Sequence, residues 1–464
     1  MKTLKFGGTS VANAANIQKC LSIILEKAKH DRLAVVVSAF SGVTDLLLQA
    51  SEKAALKDTS YRQLFQELES KHKTAIDELI PAVEQAEIIA AVQSELQQLK
   101  TLLDGCYLLG ERSPRTADAI AGMGELLSAQ IIAKALQLKL PENNFKDSRE
   151  LIVTDANYGK AQVDFETTNT LIQDYFSSSN QKVTLLPGFI ARDKNNNTTT
   201  LGRGGSDYTA AIIANAVQAN DLEIWTDVNG MYTANPKLVK QAQPIATISY
   251  QEAMELSHFG AKVLYPPTIQ PVLKSEIPIW IKNTFEPDAE GTFICAHPEG
   301  ATNPIKGISH IDKIALVTLE GSGMIGVAGS SKRLFEVLSH EQINVIFITQ
   351  ASSEHSICVG IQAQDASKAQ AAINTEFALE IAQGKIDACQ VETDLCIVAL
   401  VGENMKNHQG ISGKMFSTLG KNNVNIRAIA QGASERNISV VINEKDVKKA
   451  LNTLHERFFE DNLK

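Results

Sequence analysis

The last third of this chain repeats itself. Asn344, Gln350, Ser353, Glu354, Ile357 and Val359 recur as Asn425, Gln431, Ser434, Glu435, Ile438 and Val440, each 81 positions on. The match extends upstream, where Val317, Leu319, Gly321 and Met324 correspond to Val398, Leu400, Gly402 and Met405. A fixed period means that one unit is built twice. Each copy reads strand, glycine turn, helix, strand, polar turn, strand, helix. The spacing establishes shared descent of the two copies and does not require that both bind a ligand. A Pro/Gly-bearing linker, residues 296–304, separates them from what precedes.

The first 295 or so residues follow a different rule. Short apolar runs at Thr3–Phe6, Leu33–Val37, Leu151–Val153, Val183–Leu186, Leu222–Trp225 and Ile279–Ile281 have the pattern of buried parallel strands. Helical stretches lie between them at Ala14–Lys29, Asp118–Leu138, Ser206–Gln218, Tyr250–His258 and Thr268–Lys274. The alternation predicts an α/β sandwich. From about 58 to 104 it is interrupted, and Ile88, Val92, Leu96, Leu99 and Leu103 fall on one face of a helix. We read this stretch as a helical insertion that packs on the sandwich, with a dimer contact as the alternative.

Two glycine loops carry the chemistry. The first strand places Lys5 directly before Gly7-Gly8-Thr9-Ser10. Glycines leave backbone N–H groups open to an anion, and the lysine and hydroxyls add donors. Such a set suits a transferring phosphoryl group, where catalysis is mostly positioning and charge neutralisation. The spacing is not that of the common P-loop. The second loop, Gly202-Arg203-Gly204-Gly205-Ser206-Asp207, opens an Ala-rich helix and forms an anion site at its N-terminus. Arg203 offers a planar fork for a carboxylate or phosphate. Asp207 is placed either to cap the helix or to hold Lys5 across the sheet. Ser38 to Thr44, Pro187-Gly188-Phe189 and the run from Thr226-Asp227 to Tyr232 each follow a strand end, where sheet folds of this class place their sites. Glu125 puts a carboxylate in an apolar helix.

Composition narrows the function. A net charge of −9 disfavours nucleic acid as a partner. No uninterrupted apolar run approaches the ~20 residues of a membrane span. Lys2, Lys5 and the Gly-Gly pair interrupt any signal-peptide core, so none is expected. The six cysteines are scattered without a C-x-x-C pair, and no histidine cluster suggests zinc. No metal site or disulfide is expected, and a reducing cytoplasm fits.

Lys5–Ser10, Gly202–Asp207, Trp225-Thr226-Asp227-Val228 and Phe259-Gly260-Ala261-Lys262-Val263-Leu264 together resemble the motifs of aspartokinases, in the amino-acid kinase superfamily. The resemblance covers essentially the whole chain. It is closest to the kinase half of bifunctional aspartokinase–homoserine dehydrogenases, with Leu108-Leu109-Gly110 and Ser249–Leu256 adding to it. It implies a three-layer α/β/α amino-acid kinase domain over residues 1–297. Two ferredoxin-like ACT units would follow over 305–390 and 391–464, the second completed by residues 307–313. It implies transfer of the ATP γ-phosphoryl, with Mg²⁺, to the β-carboxylate of L-aspartate, the first step of lysine, threonine and methionine biosynthesis. A kinase of another small amino acid such as glutamate, or a non-catalytic amino-acid sensor, are the rival readings.

By the same resemblance Lys5 bridges the phosphates and Asp207 orients it. Arg203 takes the substrate α-carboxylate and Glu125 its ammonium. Ser38, Thr44, Gly204, Gly205 and Ser206 shape the substrate pocket. Gly7, Gly8, Thr9, Ser10, Thr226, Asp227, Tyr232, Lys237, Lys262 and Val263 line the nucleotide site. Lys237 stands where arginine is common, and Tyr265 where histidine is common, so Tyr265 is given no role. Asn344 and Gln350, with repeat partners Asn425 and Gln431, are the expected allosteric positions, with turn residues as the plainer alternative. Threonine is the favoured effector and lysine the alternative. A homodimer or larger assembly through the ACT units is implied.

Overall fold

The computed structural model describes residues 1–258, 264–298, 303–350, 355–406 and 408–460. They divide into two compact units. One holds Met1–Met231, Pro244–Tyr250 and Lys262–Glu299, and the other Tyr232–Gln243, Gln251–Ala261 and Gly300–Lys464.

The strands of the first unit are β1 (Lys2–Phe6), β2 (Leu33–Val37), β3 (Asn143–Phe145), β4 (Val153–Thr154), β5 (Val183–Pro187), β6 (Ile190–Asp193), β7 (Thr198–Thr200), β8 (Leu222–Thr226), β9 (Thr247–Ser249), β10 (Ile279–Asn283) and β11 (Thr292–Cys295). Eight form one sheet in the order β3-β5-β2-β1-β8-β10-β11-β9, and β4, β6 and β7 form a smaller one. From β3 to β10 every neighbour is parallel, so these strands end at one edge. All five residues of β2 are buried, as a continuous apolar run in a covered parallel sheet should be.

The helices are α1 (Ala14–Ala28), α2 (Val43–Ala55), α3 (Tyr61–Leu79), α4 (Ala86–Leu109), α5 (Pro114–Ala121), α6 (Met123–Gln137), α7 (Phe165–Ser178) and α8 (Gly205–Ala216). Residues of α1 to α4 and α6 share one core with Leu4, Phe6, Leu33, Val35 and Val37. Side chains alternate along a strand, so Lys5 points the other way, toward α8. The insertion comprises α3 and α4, and the five apolar residues read from its period are all buried in this core. The helix expected over Asp118–Leu138 is two, α5 and α6. Between them Gly122 lies so close to β6 that a Cβ would stand 2.7 Å from Ile190 Cγ2. Pro114–Gln137 is apolar and long enough to cross a membrane by composition, but 83% of that window is buried, as in a core helix pair.

The second unit carries β12 (Gly307–Glu320), β13 (Phe347–Gln350), β14 (Ser356–Gln362), β15 (Gln390–Val401), β16 (Ile426–Gln431) and β17 (Asn437–Asn443). They form one antiparallel sheet in the order β13-β14-β12-β15-β17-β16. The repeat is visible residue by residue. Leu338, Val359, Ile373 and Phe377 in the first core correspond to Leu419, Val440, Leu454 and Phe458 in the second. Even left-handed backbone recurs, at Lys313 and Asp394 (φ 57° and 58°) and at Gln342 and Asn423 (φ 56° and 54°). Gly321 and Gly402 are glycine for one reason. A Cβ would lie 2.5 Å from Ile386 Cα in one copy and 2.0 Å from Pro304 O in the other. The start of β12, Gly307–Ile311, pairs with β15, while Ile314–Glu320 pairs with β14. Segment 232–243 groups with this unit because Ala234 and Val239 bury in the core of its second copy, and 251–261 does so where Glu252 accepts from Glu403 N and Glu255 from Asn437 Nδ2.

Candidate active site

β1, β2, β5 and β8 deliver their following loops to one edge of the sheet, and a cavity of about 260 Å³ opens there. Lys5, Ser38, Thr44, Glu125, Phe189, Gly202, Arg203, Gly204, Gly205, Ser206 and Asp207 line it. Nine positions named from sequence for catalysis or substrate therefore meet at one place.

Lys5 Nζ stands 2.6 Å from Asp207 Oδ1, with both side chains largely buried. Their alignment is that of an ion pair rather than a directed hydrogen bond. This decides between the two uses of Asp207. The helix is entered through Gly204 without a side-chain cap, and Asp207 faces the lysine. Gly204 has φ 72°, and a Cβ there would lie 2.9 Å from Tyr265 and Thr268 atoms, so only glycine suits this entry.

Glu125 is 5% exposed, and its Oε2 has no hydrogen-bond partner. Burial pushes its carboxyl up to about 8, against the opposing pull of the Ala39 N–H and the Lys5 charge. An unpaired buried acceptor on a cavity wall is suited to a cation. α6 also sets the adjoining loop, since Ser128 Oγ donates to Ser38 O at 2.8 Å.

Arg203 is exposed at the rim, its guanidinium 5.6 Å from the centre of the Tyr265 ring. Tyr265, given no role from sequence, is thus the platform that limits where Arg203 can point. Phe189, in the strand-end run 187–189, lines the cavity itself. It holds φ 70°, unusual for a bulky residue, and its N–H donates to Thr209 Oγ1 at 3.0 Å. Asp118, buried in α5, accepts from Gly159 N, Thr200 N and Thr200 Oγ1 at 2.8 to 3.0 Å and so fixes the strand that feeds the second glycine loop. Its only signal in the sequence is a carboxylate in an apolar helix, the same signal that marks Glu125.

The first glycine loop is anchored on the neighbouring strand. Gly7 N–H donates to Trp225 O at 3.1 Å. Ser10 is fully buried, with Oγ on Trp225 O and 2.7 Å from Thr284 Oγ1. Both groups tie the loop to β8. Thr9 is exposed and Gly8 half-buried.

Thr226 and Asp227 end β8, joined by a 3.2 Å hydrogen bond. Tyr232 is half-buried and Lys237 exposed in the segment that belongs to the second unit. Lys262 and Val263 lie outside the described residues. In the second unit Asn344, Gln350, Asn425 and Gln431 are all exposed, at or beside β13 and β16, the two edge strands. Gln350 borders a groove of about 500 Å³ with Thr318, Glu320, Glu392 and Arg427. Among the described residues no group of three or more His, Cys, Asp or Glu side chains is arranged to hold a metal.

A doubly covered parallel sheet with glycine loops at one edge, a Lys–Asp pair beside a small polar cavity, and two copies of a βαββα unit define a small-molecule kinase joined to a regulatory pair. The amino acid kinase family matches residues 2–283, and the ACT domain matches 317–377 and 398–458. The chain belongs to the amino acid kinase family and, within it, to the aspartokinases. It is 38% identical over 461 residues to a chloroplastic bifunctional aspartokinase/homoserine dehydrogenase 2 of Arabidopsis thaliana, covering 98% of this chain and 50% of that protein. It is 31% identical to the lysine-sensitive aspartokinase 3 of Escherichia coli, covering 98% of each. The crystal structure of E. coli aspartokinase III with aspartate and ADP superposes with a TM-score of 0.84 at 29% identity, covering 99% of this chain and 100% of that one. The chain spans about half the length of the plant bifunctional relatives it matches.

Proposed function

We propose that this chain transfers the γ-phosphoryl group of ATP to the β-carboxylate of L-aspartate, giving 4-phospho-L-aspartate and ADP, the entry step to lysine, threonine and methionine. One observation carries the reading. The Lys5–Asp207 pair stands in the same 260 Å³ cavity as a cation-seeking carboxylate, Glu125, and an anion-seeking guanidinium, Arg203. An α-amino acid bound by its ammonium and α-carboxylate at those two ends presents its side-chain carboxylate to Lys5.

The acceptor carboxylate is ionised at neutral pH, so it needs no general base. The obstacle is repulsion between two anions. Lys5 offsets it at the transferring group, held by Asp207, while the second glycine loop lines the same cavity. Mg²⁺ would supply further charge neutralisation and be carried mainly on the nucleotide phosphates, since the described residues offer no carboxylate cage. Thr226, Asp227, Tyr232, Lys237, Lys262 and Val263 are the proposed nucleotide contacts.

Regulation is assigned to the ACT pair, with threonine the favoured inhibitor and lysine its rival, the E. coli relative being named for lysine. Asn344 and Gln350 are the proposed contacts, with Asn425 and Gln431 in the second copy. Their place on edge strands supports assembly through these units into a homodimer or larger form. A cytoplasmic setting is proposed from the six free cysteines. The test is ADP release with aspartate or with glutamate, each with and without threonine or lysine. Turnover with aspartate alone, inhibited by one of the two, supports the reading. Preference for glutamate, or no turnover with either, rejects it.

A further inference from the structure

The two repeat copies share a backbone but differ on the outer side of their last helix. In the second copy that helix, Val447–His455, grips a segment from the middle of the chain. His455 is 1% exposed, and its Nε2 lies 2.9 Å from Thr233 Oγ1. Its Nδ1 lies 2.9 Å from Glu460 Oε1, and Phe459 stacks on the ring at 4.9 Å. An ionised carboxylate only accepts, so Nδ1 carries the proton shared with Glu460, and Nε2 is the ring atom left to pair with the Thr233 hydroxyl. One turn earlier Asn452 Nδ2 donates to Leu238 O at 3.0 Å.

Thr233 is the pinch of that segment. Its N–H donates to Gln243 O at 2.9 Å, and its Oγ1 accepts from Gln243 N at 3.0 Å. Its carbonyl accepts from Ile308 N, in β12, at 2.7 Å. Within the loop so closed, Asn235 Oδ1 accepts from Lys237 N at 3.0 Å, and Ala234 and Val239 sit in the core of the second copy. Tyr232 and Lys237 ride on this frame. The corresponding positions of the first copy, 81 residues earlier, are Ala371 and Asn374. Asn374 is spent on Cys389 N at 2.8 Å, and Ala371 has no polar group to offer. The grip is therefore a property of one copy, not of the repeat.

We propose that His455 and Asn452 are positioning residues for the nucleotide. Through Thr233 and Leu238 they hold residues 232–243 in the shape that presents Tyr232 and Lys237. This rests on the reading that Tyr232 and Lys237 contact the nucleotide.

The test uses the full chain and compares KM for ATP, at saturating Mg²⁺ and aspartate, with KM for aspartate. His455→Leu and Thr233→Val each raise the ATP KM about five-fold, the scale of one lost hydrogen bond, and leave kcat and the aspartate KM within about two-fold. The double variant falls short of the sum of the two single effects, because the His455–Thr233 contact is lost in each, although Thr233→Val also removes the acceptor for Gln243 N. If His455→Leu does not fold, Thr233→Val, nearly isosteric, carries the test alone. Lys237→Met checks the reading beneath. If it leaves the ATP KM unchanged, the nucleotide assignment fails and takes the proposal with it. If Lys237→Met raises the ATP KM while the folded Thr233→Val protein keeps it, or if Thr233→Val raises both KM values together, the clamp is overturned and the nucleotide assignment stands.

Discussion

The two units of this molecule present their functional residues in opposite ways. In the first, Lys5, Glu125 and Asp207 are largely withdrawn from water around a small cavity, and one buried oxygen lacks a partner. In the second, Asn344, Gln350, Asn425 and Gln431 stand exposed beside edge strands. Buried charge acts strongly on whatever enters, because water does not screen it. Exposed amides act weakly until something covers them. The first unit is accordingly built to act on a bound substrate as it stands. The second is built to respond when an effector, or a second copy of the chain, completes its edge.

That contrast is breakable in order of expected effect. Lys5→Ala removes the cation at the transferring group, and kcat is expected to fall ~100-fold or more with thermal stability retained. Near-normal turnover would place the chemistry elsewhere. Arg203→Lys keeps the charge but loses the fork, so the aspartate KM is expected to rise about ten-fold with a smaller change for ATP. A defect confined to ATP would move Arg203 to the nucleotide site.

Glu125 supplies a pH test. Its carboxyl titrates near 8 in the free protein because it is buried. Binding an ammonium group favours the ionised form, so substrate binding expels a proton below that pH. Aspartate affinity should therefore rise as pH increases from about 6 to 8, by at most ten-fold per unit, and then level off. Glu125→Gln should bind aspartate weakly and without this slope. A slope that persists in the variant would belong to another group.

The smallest effects are expected in the second unit. Gln350→Ala should raise the half-inhibitory concentration of threonine about five-fold and leave uninhibited rates nearly unchanged, since it acts only through a coupling free energy. Gln431→Ala asks whether the second copy also binds. Reduced sensitivity at normal stability indicates a ligand role, while lowered stability with unchanged sensitivity indicates a structural one. If neither variant alters the response to threonine or lysine, the effector site is elsewhere.

What was legible in the sequence follows the same division. Lys5, Arg203 and Asp207 were readable because strand ends and glycine loops fix where such residues gather, and Glu125 because it is a carboxylate in an apolar helix. The repeat was readable because it returns even at Phe377 and Phe458, the closing residues of the two cores. Contacts made across the fold were not. Ser10 reads as a phosphate donor, and only the arrival of Thr284 and Trp225 O turns it inward. Tyr265 becomes a platform only once Arg203 lies over it. The β6–β7 hairpin is too short to show a period, although Asp193 orders its turn by accepting from Asn195 N and Asn197 N. The membership of residues 232–243 in the second unit depends on Ala234 and Val239 meeting a core some 200 residues away in sequence, which no local period records.

The central claim is that the cavity of Lys5, Glu125, Arg203 and Asp207 makes an acyl phosphate on aspartate. It is tested most directly by trapping the product with hydroxylamine, which converts acyl phosphates to stable hydroxamates. With ATP, Mg²⁺ and aspartate the intact chain should form aspartyl hydroxamate in step with ADP, and Lys5→Ala should form neither above background. ADP released without hydroxamate, or hydroxamate formed only with glutamate, would contradict it.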